Sequence, residues 1–220
     1  MIVPSPNLDP AIPILLTGDG LAEMTADRFA LLDRMVHGLG LVARRGAEAM
    51  PGGVERKDPH AVARELIQLR DAEAALMELV YDGTRDSGSR HGRALERLVR
   101  HAFWNPIETA AQTDPATMHE VARCLAVGET ETERALADTV TGYVFQTYVE
   151  RGALDAASSA SDVWMQLVAH EGDEGLRIDV QEHVAYTVNT LDAQIAEGHA
   201  ELQPLRDRLH AAIGPPPSAE

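Results

Sequence analysis

The sequence predicts an all-α fold, a bundle of about six to seven helices, and three observations support it. Apolar residues recur at helical spacing along most of the chain. Helix-start signals punctuate it, with the pair Asp-Pro occurring at Asp58-Pro59 and again at Asp114-Pro115. Near the C-terminus, Val184, Val188, Leu191, Ile195, Gly198, Leu202, Leu205 and Leu209 step alternately by four and three, the spacing of a heptad seam.

Taken in order, residues 1–20 hold Pro4, Pro6, Pro10 and Pro13 with Gly18 and Gly20, which rules out a continuous helix and predicts an extended arm. A short strand is expected within it at Ile14 to Thr17. Its apolar residues Ile12, Ile14, Leu15 and Leu16 need cover, from the chain's own body or from a neighbouring copy. Thr25 caps a helix expected to reach Met50, with Leu32, Met35, Val36, Leu39 and Val42 on one face, before Pro51-Gly52-Gly53 stops it.

Asp58-Pro59 opens the next helix, through Val62, Leu66, Leu69, Leu76 and Val80 to Asp82-Gly83. A third is expected from Ser89 to Trp104, halted by Asn105-Pro106. Asp114-Pro115 starts a helix ending at Gly128, and Thr130 opens another that runs to Arg151-Gly152. The short turn between these two predicts antiparallel neighbours. Ser161-Asp162 marks a short helix through Trp164, Leu167 and Val168. From Glu174 a long C-terminal helix follows, with a kink or break expected between Ala200 and Gln203 because Pro204 interrupts the seam. The domain reading is therefore an arm over 1–20, one helical domain over 21–213 with 174–213 as its C-terminal hairpin or arm, and a disordered Pro-rich tail over 214–220.

Composition narrows the function classes. The 45% hydrophobic and 25% charged fractions belong to a folding globular chain. No stretch has the roughly 18 uncharged apolar residues of a membrane span, and the N-terminal segment lacks the basic region of a signal peptide. Cys124 stands alone, which excludes an internal disulfide and a multi-cysteine zinc site. These features predict a cytoplasmic protein without a membrane association. A formal charge of −16 disfavours nucleic acid and anionic membranes as general partners.

One segment runs against that charge. At about 100° per residue, Arg90, Arg93, Arg97 and Arg100 fall on one face of the third helix, with His101 at its margin and Leu95, Leu98, Val99 and Phe103 opposite. With Arg85, five arginines against Asp86 and Glu96 leave residues 85–100 at +3. Guanidinium groups in a row suit phosphate or carboxylate partners, so this stripe is the candidate partner- or anion-binding face. Pairing with the acidic residues of 171–201 is the alternative use.

Chemical motifs are sparse. No Glu-x-x-His occurs for a di-iron bundle, and His119-Glu120 and Glu182-His183 are adjacent pairs that point apart on a helix. HExxH is absent, because Glu174 stands where the second histidine belongs after His170-Glu171. The compact acidic segment 170–175 offers oxygen ligands, and the loop from Asp82 departs from a calcium loop at Ser87 and Arg93. No nucleophile elbow, phosphate loop or dinucleotide fingerprint appears. Cys124 reads as a small core hydrophobe, and Ser158, Ser159 and Ser161 as helix-start residues. No metal or cofactor is therefore expected.

Three functions follow as expectations. The first is a non-enzymatic assembly subunit that binds itself or a protein partner, with Val184, Val188, Leu191, Ile195, Leu202, Leu205 and Leu209 as its self-association seam. The second is a helical-bundle enzyme or ligand sensor with a buried small-molecule or metal site, placed near Tyr143, Phe145 and Tyr148 with a histidine from another helix. The third is an anion, phosphate or nucleic-acid contact through the arginine stripe.

Overall fold

The computed structural model describes residues 37–38, 48, 58–83, 90–170 and 174–213, with backbone alone for 79–83, 90–92, 94 and 95. Expectations for the N-terminal arm, most of the helix after Thr25, the loop after Gly83 and the C-terminal tail lie outside these residues. Among the described residues the chain is all-α, with seven α-helices and no strand. None of these helices is long and apolar enough to cross a membrane.

Helix α1 spans Pro59–Gly83. Asp58 caps it, its Oδ1 accepting from the His60 amide at 3.2 Å, while Pro59 fills a position that needs no amide hydrogen. Helix α2 spans Arg90–Thr113, nine residues beyond the expected stop at Trp104. Pro106 lies inside it. An interior proline costs about 3 kcal/mol. Ile107 is 1% exposed, and burying such a side chain returns about 1.5–3 kcal/mol. Ala110 and Ala111, buried beyond it, add to that gain. The helix ends instead at Asp114, whose side chain turns to the next one.

Helix α3, Pro115–Ala126, is capped by Asp114 Oδ1, which accepts from the Thr117 amide at 3.1 Å. Helix α4, Glu131–Glu150, opens on a reciprocal capping box. The Glu133 amide donates to Thr130 Oγ1 at 3.2 Å, and the Thr130 amide donates to Glu133 Oε2 at 2.9 Å. Both starts fall where the local chemistry predicts. Helix α5, Leu154–Val168, begins seven residues before the predicted Ser161-Asp162 signal. Ser158, Ser159 and Ser161 are therefore interior residues, and Ser161 Oγ donates back to the Ser158 carbonyl at 2.7 Å.

Helix α6 spans Glu174–Ala196 and α7 spans Gln203–Ile213, with a single 3₁₀ turn at Ala200–Leu202 between them. The seam divides as expected, in a break that begins after Ala196 and includes the 3₁₀ turn at Ala200–Leu202. Gly198, at φ +114°, ends α6: its amide donates to the Ile195 carbonyl at 3.0 Å, and the His199 amide reaches back to Gln194 at 3.1 Å. This is a Schellman closure built on glycine. Pro204 then sits in the first turn of α7, where a proline is tolerated, so it does not set the break.

The structure divides into two compact units. One comprises 1–50 and 68–107, and the other 51–67 and 108–220. Both α1 and α2 contribute to each unit, α1 dividing after Ile67 and α2 after Ile107. In the first unit Leu69, Leu76, Leu98, Val99 and Phe103 are buried, and the buried Glu73 pairs with Arg70.

In the second unit α5 is the central helix, packed against α3, α4, α6 and α7. Its small residues Ala157, Ala160 and Ser161 let neighbouring backbones approach, and Trp164 is fully buried beside them. Helices α3 and α4 also pack on each other, as do α6 and α7.

Candidate functional site

Helices α4 and α6 contact each other less extensively than either contacts α5, and a cleft of about 360 Å³ lies between them. From α4 it is lined by Thr139, Gly142, Tyr143, Phe145, Gln146, Val149 and Glu150. From α6 come His183, Tyr186, Thr187, Thr190, Leu191 and Gln194.

Helical geometry accounts for these sets. Positions 139, 142, 146 and 150 on α4, and 183, 187, 190 and 194 on α6, recur every three or four residues and so share one face. Gly142 lies against the His183 ring. A Cβ there would meet His183 Cε1 at 2.7 Å and Nε2 at 2.9 Å, so glycine lets the imidazole lie against the α4 backbone.

His183 is held from behind by a polar network inside an apolar wall. Its Nδ1 lies 3.1 Å from both Asp138 carboxylate oxygens. A carboxylate accepts, so Nδ1 carries the hydrogen and Nε2 is the nitrogen left facing Gly142 and the cleft. The Trp164 indole Nε1–H donates to the same Asp138 Oδ1 at 2.7 Å. The Trp164 ring meets His183 edge-on at 5.3 Å between centroids, and Phe145 packs on Trp164 at 5.1 Å. Trp164 is fully buried, whereas the His183 side chain keeps 34% exposure, enough to present one edge to the cleft.

The electrostatics follow from this arrangement. The Asp138 hydrogen bond raises the His183 pKa above its ordinary value; burial opposes it, and the Asp138 charge adds to the rise. Burial, with Glu108 nearby, pushes the Tyr143 phenol up, so its hydroxyl stays protonated. The Thr139, Thr187 and Thr190 hydroxyls donate to carbonyls of their own helices at 3.2, 3.0 and 3.1 Å. Gln146 Nε2 donates to Glu150 Oε1 at 2.8 Å, orienting that carboxylate at the cleft edge. The result is a recess with aromatic and aliphatic walls, one anchored imidazole and one oriented carboxylate.

The sequence-predicted residues fall elsewhere or play other parts. Of the arginine stripe, Arg93, Arg97 and Arg100 are exposed on α2, with Leu98, Val99 and Phe103 buried on its other side. Arg100 pairs with Glu96 through Nη2 at 3.1 Å, and the exposed His101 places Nδ1 3.3 Å from Asn105 Oδ1. Arg90 belongs to the same helix, with its side chain outside the described residues. Of the seam, Val184, Val188, Leu191, Leu202, Leu205 and Leu209 are buried within the chain's own fold, and Ile195 is half-buried.

Cys124 is half-exposed rather than a core residue, with Sγ 3.8 Å from His60 Nε2; burial and the nearby acids raise its pKa, keeping it a thiol. His119 is packed edge-on against Tyr148 at 6.5 Å, and burial lowers its pKa. No cluster of three or more metal-ligating side chains occurs among the described residues. Trp104, expected to anchor a helix end, lies inside α2 and meets Phe103 edge-on.

Asp138 and His183 stand 45 residues apart and share no motif, so sequence reading missed them as a pair. The sequence groups Tyr143, Phe145 and Tyr148 as a cluster belonging to the core or to a pocket wall; Tyr143 and the buried Phe145 border the cleft while Tyr148 packs on His119 instead, and the indole hydrogen bond expected of Trp164 forms, to a side chain on another helix.

Fold and site together define a helical chain with an anchored-histidine cleft. No protein-family model matches the chain, no curated protein matches it, and no solved structure matches it.

Proposed function

We propose that the chain is a helical ligand-binding protein whose site is the cleft between α4 and α6. The supporting observation is the Asp138–His183–Trp164 network, which fixes one imidazole with Nε2 toward a recess of about 360 Å³. That volume suits a small molecule at the lower end of the usual pocket range of about 300–1,000 Å³. Aromatic walls with few polar groups are the composition of such sites.

Screening a fragment library by NMR tests the reading, with the His183 Cε1–H and Trp164 Nε1–H resonances as reporters. Compounds that bind should shift both, and His183→Asn should weaken them while helix content is retained. Absence of any binder, together with no retained small molecule on protein purified from its own cells, would overturn the proposal.

Protein association ranks second. Burial of six seam residues counts against the seam as a contact surface, while Val127, Ile178 and Tyr186 supply exposed apolar side chains at 70%, 45% and 72% exposure. A mass that rises with concentration in light scattering, and falls after Tyr186→Ser and Ile178→Ser, would favour this reading; a constant monomer mass would remove it.

A further inference from the structure

We infer that the cleft takes an organic amine: an ammonium group at Glu150, an apolar or aromatic body along the walls, and a hydrogen-bonding group at His183. The inference rests on the ligand-binding reading above and names the chemical class that the site selects.

The charges on the page point one way. Among the described residues lining the cleft there is no lysine or arginine, and Glu150 is the one carboxylate. Gln146 holds Glu150 through Oε1, leaving Oε2 for a ligand donor. Beyond the lining, Glu108 lies near Tyr143, and the chain as a whole carries −16. His183 and Asp138 form a pair whose charges offset each other when the imidazole is protonated. An anion entering here would meet Glu150 unpaired, whereas a cation would be drawn in by the surrounding field.

The walls agree with that sign. Tyr143 and Tyr186 offer aromatic surface, and a ring face attracts an ammonium within about 6 Å. Gly142 and Glu150 are eight residues apart on α4, about 12 Å along the axis, so Glu150 and His183 mark separate ends. A ligand spanning both needs its amine and its second polar group separated by an apolar body. A neutral imidazole accepts a hydroxyl hydrogen at Nε2 at that second end, and a protonated one donates to the hydroxyl oxygen instead.

Three probes of one shape separate the possibilities: tyramine carries a cation, 4-hydroxyphenethyl alcohol is neutral, and 3-(4-hydroxyphenyl)propionate is an anion. Titrations followed by the His183 Cε1–H and Trp164 Nε1–H resonances should rank tyramine first, by up to about fivefold over the alcohol. Glu150→Gln, a change at an exposed position, should erase that margin. Thr190→Arg, also exposed, places a cation at the cleft edge and should turn the preference toward the propionate; it serves as the second variant if Glu150→Gln loses helix content.

Equal or tighter binding of the alcohol or the propionate to the native chain would overturn the amine assignment and leave the cleft reading standing. A margin for tyramine that survives both variants would overturn it as well. If none of the three shifts either resonance and the fragment screen is also silent, both readings fall.

Discussion

At the residue scale, one carboxylate organises the site. Asp138 accepts from Trp164 and His183 together, so its charge is shared between a buried indole and a half-buried imidazole. Its hydrogen bond raises the His183 pKa, which makes the protonated pair a stabilising one. A raised folded-state value gives stability that is fully present below the ordinary imidazole value of about 6.5 and is lost as pH rises through the folded value. The groups facing His183 are Asp138 from α4 and Trp164 from α5, with Glu150 further along the cleft; Arg206 of α7 is held by Asp192 and Asp207. Asp138→Asn should therefore lower the His183 titration midpoint and flatten the pH dependence of stability, both readable by NMR and by thermal melts across pH. Gly142→Ala offers an independent check. The added methyl meets an imidazole pinned by Asp138 and Trp164, so overpacking of about 1–3 kcal/mol should exceed the alanine helix gain of about 1 kcal/mol. A lower melting temperature and a displaced His183 midpoint are the expected results.

At the element scale, helix ends separate what is written locally from what is not. The starts of α1, α3 and α4 were legible because a capping side chain and its amide partner lie within three residues of each other. The start of α5 was not, since Ala153 precedes it with no side-chain cap and the helix is held by burial of Ala157, Ala160 and Trp164. Pro106 was read as a stop because its local penalty is visible in sequence, whereas the burial of Ile107 that offsets it is not. Pro106→Ala restores an interior amide donor and should stabilise the chain by about 1–3 kcal/mol, measurable by denaturant melts. Gly198→Ala should do the reverse. Its φ of +114° is strained for any side chain, and a loss of about 1–3 kcal/mol is expected. The candidate site was half legible: the aromatic spacing at Tyr143 and Phe145 marked one wall, but the anchor needs a pairing of α4 with α6 that no local signal encodes.

At the scale of the whole chain, 35 acids against 19 bases leave an imbalance that ion pairs do not remove. Arg206 with Asp192 and Asp207, Arg208 with Asp162, and Arg123 with Glu120 are exposed pairs, screened by solvent and contributing little to stability. Salt weakens these slightly but screens a much larger self-repulsion. Thermal stability should therefore rise between low and physiological ionic strength, by about 2–4 °C for each kcal/mol gained. A fall in melting temperature on adding salt would mean that the pairs outweigh the repulsion.

Trp164 has a consequence of a different kind. Its indole is fully buried, yet it shares an oxygen acceptor with the imidazole that borders the cleft. Any event that changes the charge or position of His183 alters the electric environment of that indole. The chain thus carries its own optical reporter, and in a Trp104→Phe background, where Trp164 is the only tryptophan left, label-free emission would follow occupancy of the cleft.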